Sequence, residues 1–129
     1  MMKFSVNPNE YVGNIKFGQT RDEVRRLLTG FKKEFKKNKY SRNTTDDFGY
    51  CHVFYDVENR LNAVEFFEQC NLVYQGENLF EITVDELKKL LPDIREDYGS
   101  YISQKYSIGI TFDGTRVDTV LIGCKDYYC

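Results

Sequence analysis

Two stretches of this chain repeat one another closely enough to dictate its organisation. Phe17-Gly-Gln-Thr20-Arg-Asp22-Glu23-Val24-Arg25-Arg26-Leu27-Leu28 recurs as Phe80-Glu-Ile-Thr83-Val-Asp85-Glu86-Leu87-Lys88-Lys89-Leu90-Leu91. Each copy spells a short helix. Thr20 and Thr83 stand where an N-cap is needed, with Glu23 and Glu86 three residues later in the capping-box position. Acidic residues fill the first turn and basic ones the next, as the helix dipole favours. Val24, Leu27 and Leu28 form an apolar stripe, matched by Leu87, Leu90 and Leu91. Gly30 is expected to stop the first helix through a left-handed cap, and Pro92 the second.

A second pair of segments repeats downstream. The run Phe54-Tyr55-Asp56 leads through a turn to Arg60 and a β-rich stretch ending at Phe66. Thr111-Phe112-Asp113 leads likewise to Arg116 and Val117–Ile122, with one residue fewer in the turn. Both read as hairpins opening at Asp, and Asp113-Gly114 is the strongest such turn in the chain. The capping threonines are 63 residues apart and the turn aspartates 57, so helix and hairpin recur together. The expected fold is α+β: an antiparallel β-sheet with helices packed on one face, built from two tandem helix–hairpin repeats. These repeats span approximately 11–74 and 75–125 within a single compact domain, 1–129. Shorter strands are expected over 3–6, 11–15, 71–74 and 101–103, and a polar surface loop over 38–47. The sheet face opposite the helices is left for solvent or a partner.

The segment Phe17-Gly18-Gln19-Thr20-Arg-Asp-Glu23-Val24 resembles the Phe/Gly-Met-Thr-x-x-Glu-Val helix start of the β-lactamase inhibitor protein fold, shared by outer-membrane assembly lipoproteins of the SmpA type. The second half, with Ile108-Gly-Ile-Thr-Phe-Asp-Gly-Thr-Arg-Val117, is similar to their helix and closing hairpin. The resemblance covers most of the chain as two tandem copies. It implies a binding protein, since tandem units of this kind clamp a protein on an exposed sheet surface. Related small units occur among bacterial toxin immunity proteins, including those of contact-dependent growth inhibition. The chain departs from the family in having no Met after Gly18 and no lipid-attachment Cys near its start. Those departures favour a cytosolic version over a lipoprotein or secreted inhibitor.

Composition narrows the function classes. With 41% hydrophobic and 16% aromatic residues, the chain has the material for a core and is not disordered. No apolar run is long enough for a membrane helix, and the start lacks the apolar segment of a signal peptide. A cytoplasmic chain with free thiols is therefore expected, and any pairing among Cys51, Cys70, Cys124 and Cys129 is left open. His52, the sole histidine, follows Cys51 directly. Strand neighbours point to opposite faces, and no Cys-x-x-Cys spacing exists, so neither a metal nor a cofactor is expected. The chain has no phosphate-binding Gly loop, no nucleophile elbow and no triad, so it does not read as an enzyme.

The formal charge of −2 is a cancellation. Residues 1–43 carry net +7 and residues 46–97 net −9, while 98–129 balance. The basic peak, 31–40, interleaves lysines with Phe31, Phe35 and Tyr40, a pattern suited to tracking a nucleic-acid backbone. Since the chain as a whole is not basic, a nucleic-acid partner is the secondary expectation. The acidic set with adjacent aromatics suits a protein partner better. Asp46, Asp47, Asp56, Glu58, Glu65, Phe67, Glu68 and Tyr74 are the expected partner-binding residues. The primary expectation is a protein-binding inhibitor, a cytosolic immunity protein that neutralises a cognate bacterial toxin by covering its active site. A basic nuclease would suit the acidic residues.

Overall fold

The computed structural model describes residues 2–128, and 47% of it is strand against 11% helix. The first half runs β1 (Met2–Asn7), β2 (Tyr11–Val12), β3 (Ile15–Lys16), α1 (Arg21–Leu27), β4 (Lys33–Phe35), β5 (Thr45–Asp47), β6 (Cys51–Tyr55) and β7 (Leu61–Phe67). The second half runs β8 (Cys70–Tyr74), β9 (Glu77–Asn78), α2 (Val84–Leu90), β10 (Arg95–Asp97), β11 (Ser100–Ser103), β12 (Ile108–Asp113) and β13 (Arg116–Gly123). Leading strands, a short helix and a four-stranded meander thus occur twice, with the seam at Glu68-Gln69.

The meanders join edge to edge. An eight-stranded sheet has the order β10-β11-β12-β13-β7-β6-β5-β4, with every neighbouring pair antiparallel. The leading strands form a five-stranded sheet, β3-β2-β1-β8-β9, in which β1 and β8 run parallel. Both edges of the large sheet are short and polar, Lys33-Glu-Phe35 and Arg95-Glu-Asp97, which discourages further pairing.

The expected α+β arrangement, with helices packed on one face of a sheet, is corrected by this architecture. Each helix has only seven residues, and little beyond Val24 and Leu28, or Leu87 and Leu91, reaches the core from them. Such stubs cannot cover so wide a sheet. The small sheet meets its inner face instead. The Phe4 ring of β1 lies 5.0 Å from Phe66 of β7 and 5.8 Å from Tyr50, and one continuous apolar cluster includes both sheets and both helices.

Local signals act as the residues suggest. Asp56 Oδ1 accepts the N–H groups of Glu58 and Arg60 at 2.9 and 3.0 Å, shaping the first hairpin turn. Gly114, with φ at +65°, makes the two-residue turn between Asp113 and Arg116. Gly30 has φ at +89° but lies two residues beyond the extended C-cap Leu28, so it serves the following turn rather than the helix end. Among the described residues, no helix is long and apolar enough to cross a membrane.

Candidate functional site

Alternation along β6 creates two different surfaces. Cys51, Val53 and Tyr55 are buried beneath the large sheet, while His52 and Phe54 point to its outer face. Pairing carries the outer face sideways. Asp47 lies beside His52, His52 beside Glu65, and Glu65 beside Leu121. Phe35 lies beside Thr45, Thr45 beside Phe54, and Phe67 beside Thr119. The result is a row of rings: His52 stands edge-on to Phe35 at 5.1 Å and to Phe67 at 4.9 Å. The Lys37 ammonium sits 4.6 Å over the Phe54 ring.

The end of the described chain crosses the same face. A Cβ on Gly123 would fall 2.6 Å from the Tyr127 ring, and one on Gly109 would collide with the Tyr128 hydroxyl. Glycine at both positions lets the two tyrosines lie down on the sheet. Burial, above all, pushes both phenols above their ordinary range, and the nearby Glu65 carboxylate adds to the shift. Glu65 is therefore central, framed by His52, Leu121 and the terminal tyrosines.

Of the residues expected to bind a partner, Asp47, Glu65 and Phe67 come together on this face. Asp47 also accepts the Gly49 N–H at 2.7 Å, and its Oδ1 lies 3.5 Å from His52 Nε2. Glu68 lies past the end of β7 and forms an ion pair with Arg116. Asp56 and Glu58 sit at the β6–β7 turn, where Asp56 is committed to backbone N–H groups. Asp46 and Tyr74 offer no surface, being 0% and 6% exposed. Asp46 accepts from Arg21 at 2.9 Å, from Arg25 at 2.6 and 2.8 Å, and from the Tyr55 hydroxyl at 2.9 Å. The acidic set is therefore dispersed, and much of it is neutralised internally.

The basic segment lies at the sheet edge. Its lysines are exposed, Tyr40 is 80% exposed, and Phe31 is 42% exposed with the Arg25 guanidinium 4.3 Å from its ring. Phe35 belongs to the outer face. Phe54, Leu121, Tyr127 and Tyr128 complete the face without being among the expected partner-binding residues. Alternation about Val53 was enough to find Phe54. Nothing local announces the tyrosines, because their seats are glycines elsewhere in the chain.

Cys51, Cys70 and Cys124 are free thiols, and Cys129 lies outside the described residues. Burial pushes the Cys70 thiol up to about 11 and the Cys51 thiol higher still, which keeps both protonated and inert. Among the described residues, no three His, Cys, Asp or Glu side chains are grouped to hold a metal ion. The fold and this face together define a two-sheet β-protein with an aromatic sheet surface on which, among the described residues, only Tyr127 and Tyr128 lie and no further sheet or helix packs. No family model, curated protein or solved structure matches the chain.

Proposed function

We propose that this chain is a protein-binding inhibitor, an immunity protein that works in the cytoplasm by laying the outer face of its large sheet over the active site of a bacterial toxin. The observation that carries this reading is the row Phe35–His52–Phe67, with Phe54 alongside, half-buried on a sheet face without a covering layer. Aromatic side chains held rigid by a sheet are efficient anchors, because little rotamer freedom is left to lose on binding. Asp47 and Glu65 sit among them and orient the partner. The resemblance at 17–24 to units that clamp proteins on a sheet surface supports the same reading.

The acidic contribution is smaller than the net charge of 46–97 suggests. Asp46 and Glu68 already face arginines, so the rings supply the affinity and the remaining carboxylates steer a basic partner such as a nuclease. The alternative is a nucleic-acid-binding module using 31–40, favoured by the exposed lysines beside Phe31 and Tyr40.

Capture of partners from bacterial lysate separates the two. The wild type and a variant with Lys32, Lys33, Lys36 and Lys37 changed to Glu are expected to retain the same toxin and protect cells from it. Phe67→Asp is expected to weaken that binding by about thirtyfold, as loss of a central aromatic anchor does, without moving the thermal midpoint of unfolding by more than a few degrees. Recovery of nucleic acid alone, abolished by the lysine changes, would replace this reading with the alternative.

A further inference from the structure

The two copies of the repeat differ in what pairs with the backbone just after the hairpin turn. In the first copy, Leu61 pairs with Tyr55 beside a register shift, and its N–H and C=O point away from β6. The N–H donates to Gln19 O at 2.8 Å, and the C=O accepts from Gly18 N at 3.1 Å. Arg21 N–H reaches Asn59 O at 3.2 Å, and Thr20 bridges to Arg60. After a turn at Phe17-Gly18, the Gln19-Thr20 stretch leading into α1 is thus laid against the start of β7 as a short antiparallel bridge. Gly18 permits this, with φ at +91°, a conformation that residues with a Cβ rarely adopt.

Val117 holds the corresponding place in the second copy. It pairs with Phe112 beside a register shift and is 3% exposed. Asp113 and Arg116 flank a two-residue turn, and Phe112 N–H turns the other way, to Gly99 O at 3.4 Å. The Phe112–Val117 pair is therefore of the wide kind, and the Val117 N–H and C=O point away from β12. Glu81 stands where the first copy has Gly18, and its N–H donates to Asn78 O at 3.0 Å instead. Among the described residues, no hydrogen bond joins 80–83 to 115–118. A cleft of about 420 Å³ lies between them, lined by Cys70, Phe80, Ile82, Thr83 and Val117, with the Glu68–Arg116 ion pair at its rim.

We infer that this cleft receives an extended peptide segment of a partner protein, which pairs with the Val117 backbone as Gly18-Gln19 pairs with Leu61. The first copy shows the occupant that such an edge accepts: a short stretch leaving a turn at Gly18 and extended at Thr20, presenting one C=O and one N–H. Strand addition of this kind draws its affinity from main-chain bonds and its selectivity from neighbouring pockets. The cleft lies within the size range of ligand sites. The inference stands apart from the outer face, since no lining residue belongs to it.

The first copy also supplies the probe, a blocked peptide Ile-Lys-Phe-Gly-Gln-Thr corresponding to residues 15–20. In the free protein, the Val117 amide is expected to exchange at least about tenfold faster than the Leu61 amide, since the Leu61 N–H donates to Gln19 O and, among the described residues, 80–83 make no such bond to Val117. Adding the peptide should shift the NMR resonances of Glu68, Ile82 and Val117 and slow exchange at Val117. The same peptide methylated on its glycine nitrogen should bind about fivefold more weakly, as loss of one hydrogen bond implies. Phe67→Asp should leave peptide binding unchanged, which separates this site from the outer face. Three results would each overturn the inference: a Val117 amide as protected as Leu61 before addition, no shift at millimolar peptide, or equal binding of the two peptides.

Discussion

Asp46 and Asp47 are adjacent and chemically alike, yet they have opposite environments. Because β5 alternates, Asp47 turns outward to His52 while Asp46 turns inward between Arg21, Arg25 and the Tyr55 hydroxyl. Its cations come from 25 and 21 residues earlier in the chain. A Thr-Asp-Asp stretch does not declare which carboxylate faces the core, so this pairing was not legible in the sequence. Its energetics follow from burial. Asp46→Ala leaves two guanidinium groups facing an emptied, dehydrated site and should destabilise the protein by about 3–5 kcal/mol. Tyr55→Phe removes one donor to the carboxylate and should cost about 1–2 kcal/mol. Urea unfolding of both variants checks the order, and a wild-type-like midpoint for Asp46→Ala would show that the ion pairs contribute nothing.

Elements whose instructions lie within a few residues were legible. Thr20 Oγ accepts the Glu23 N–H at 3.3 Å while Glu23 accepts the Thr20 N–H at 3.2 Å, and Thr83 and Glu86 repeat this at 3.2 and 3.0 Å. Thr20→Ala and Thr83→Ala should each destabilise by about 1 kcal/mol. The N–H groups of Thr20 and Thr83 hold the Glu23 and Glu86 carboxyls below their ordinary value of 4.5, with smaller help from the hydroxyls. A carboxyl with a lowered folded pKa stabilises the fold above its unfolded value, and that contribution fades as pH falls from about 4.5 through the folded pKa. The urea midpoint should therefore drop between pH 5 and pH 3, less steeply when Glu23 and Glu86 are both Gln. Equal slopes for the two proteins would remove the carboxylates from the acid response. Both hairpins were legible for the same reason, through Asp56 and Asp113-Gly114. By contrast β4, β5 and β10 are three-residue polar strands without apolar alternation of their own, made strands only by pairing with β5, β6 and β11.

At the scale of the whole molecule, a single sheet covered on one face by both helices does not form, because two seven-residue helices cannot cover eight strands and the small sheet packs there instead. The segment 71–74, expected as a strand after the first hairpin, is β8, and it pairs in parallel with β1 in the small sheet rather than joining the large one. Two ladders therefore tie the copies together: β1 with β8 in the small sheet and β7 with β13 in the large one. Severing the chain between Glu68 and Gln69 cuts no strand but strips each fragment of both partners. Residues 1–68 alone would expose Phe4, Val64 and Phe66 along the broken edges, in a chain already near the size at which a single core is marginal. The expectation is that neither 1–68 nor 69–129 folds by itself, giving narrow amide dispersion and no cooperative thermal transition. An equimolar mixture should recover the dispersion and unfold cooperatively, with a midpoint that rises with concentration because association is then part of folding. A cooperative, well-dispersed 1–68 would mean that one copy is complete without the other. The ladders across the seam would then fix only the relative placement of two independent units, and the outer face would be a surface shared by both.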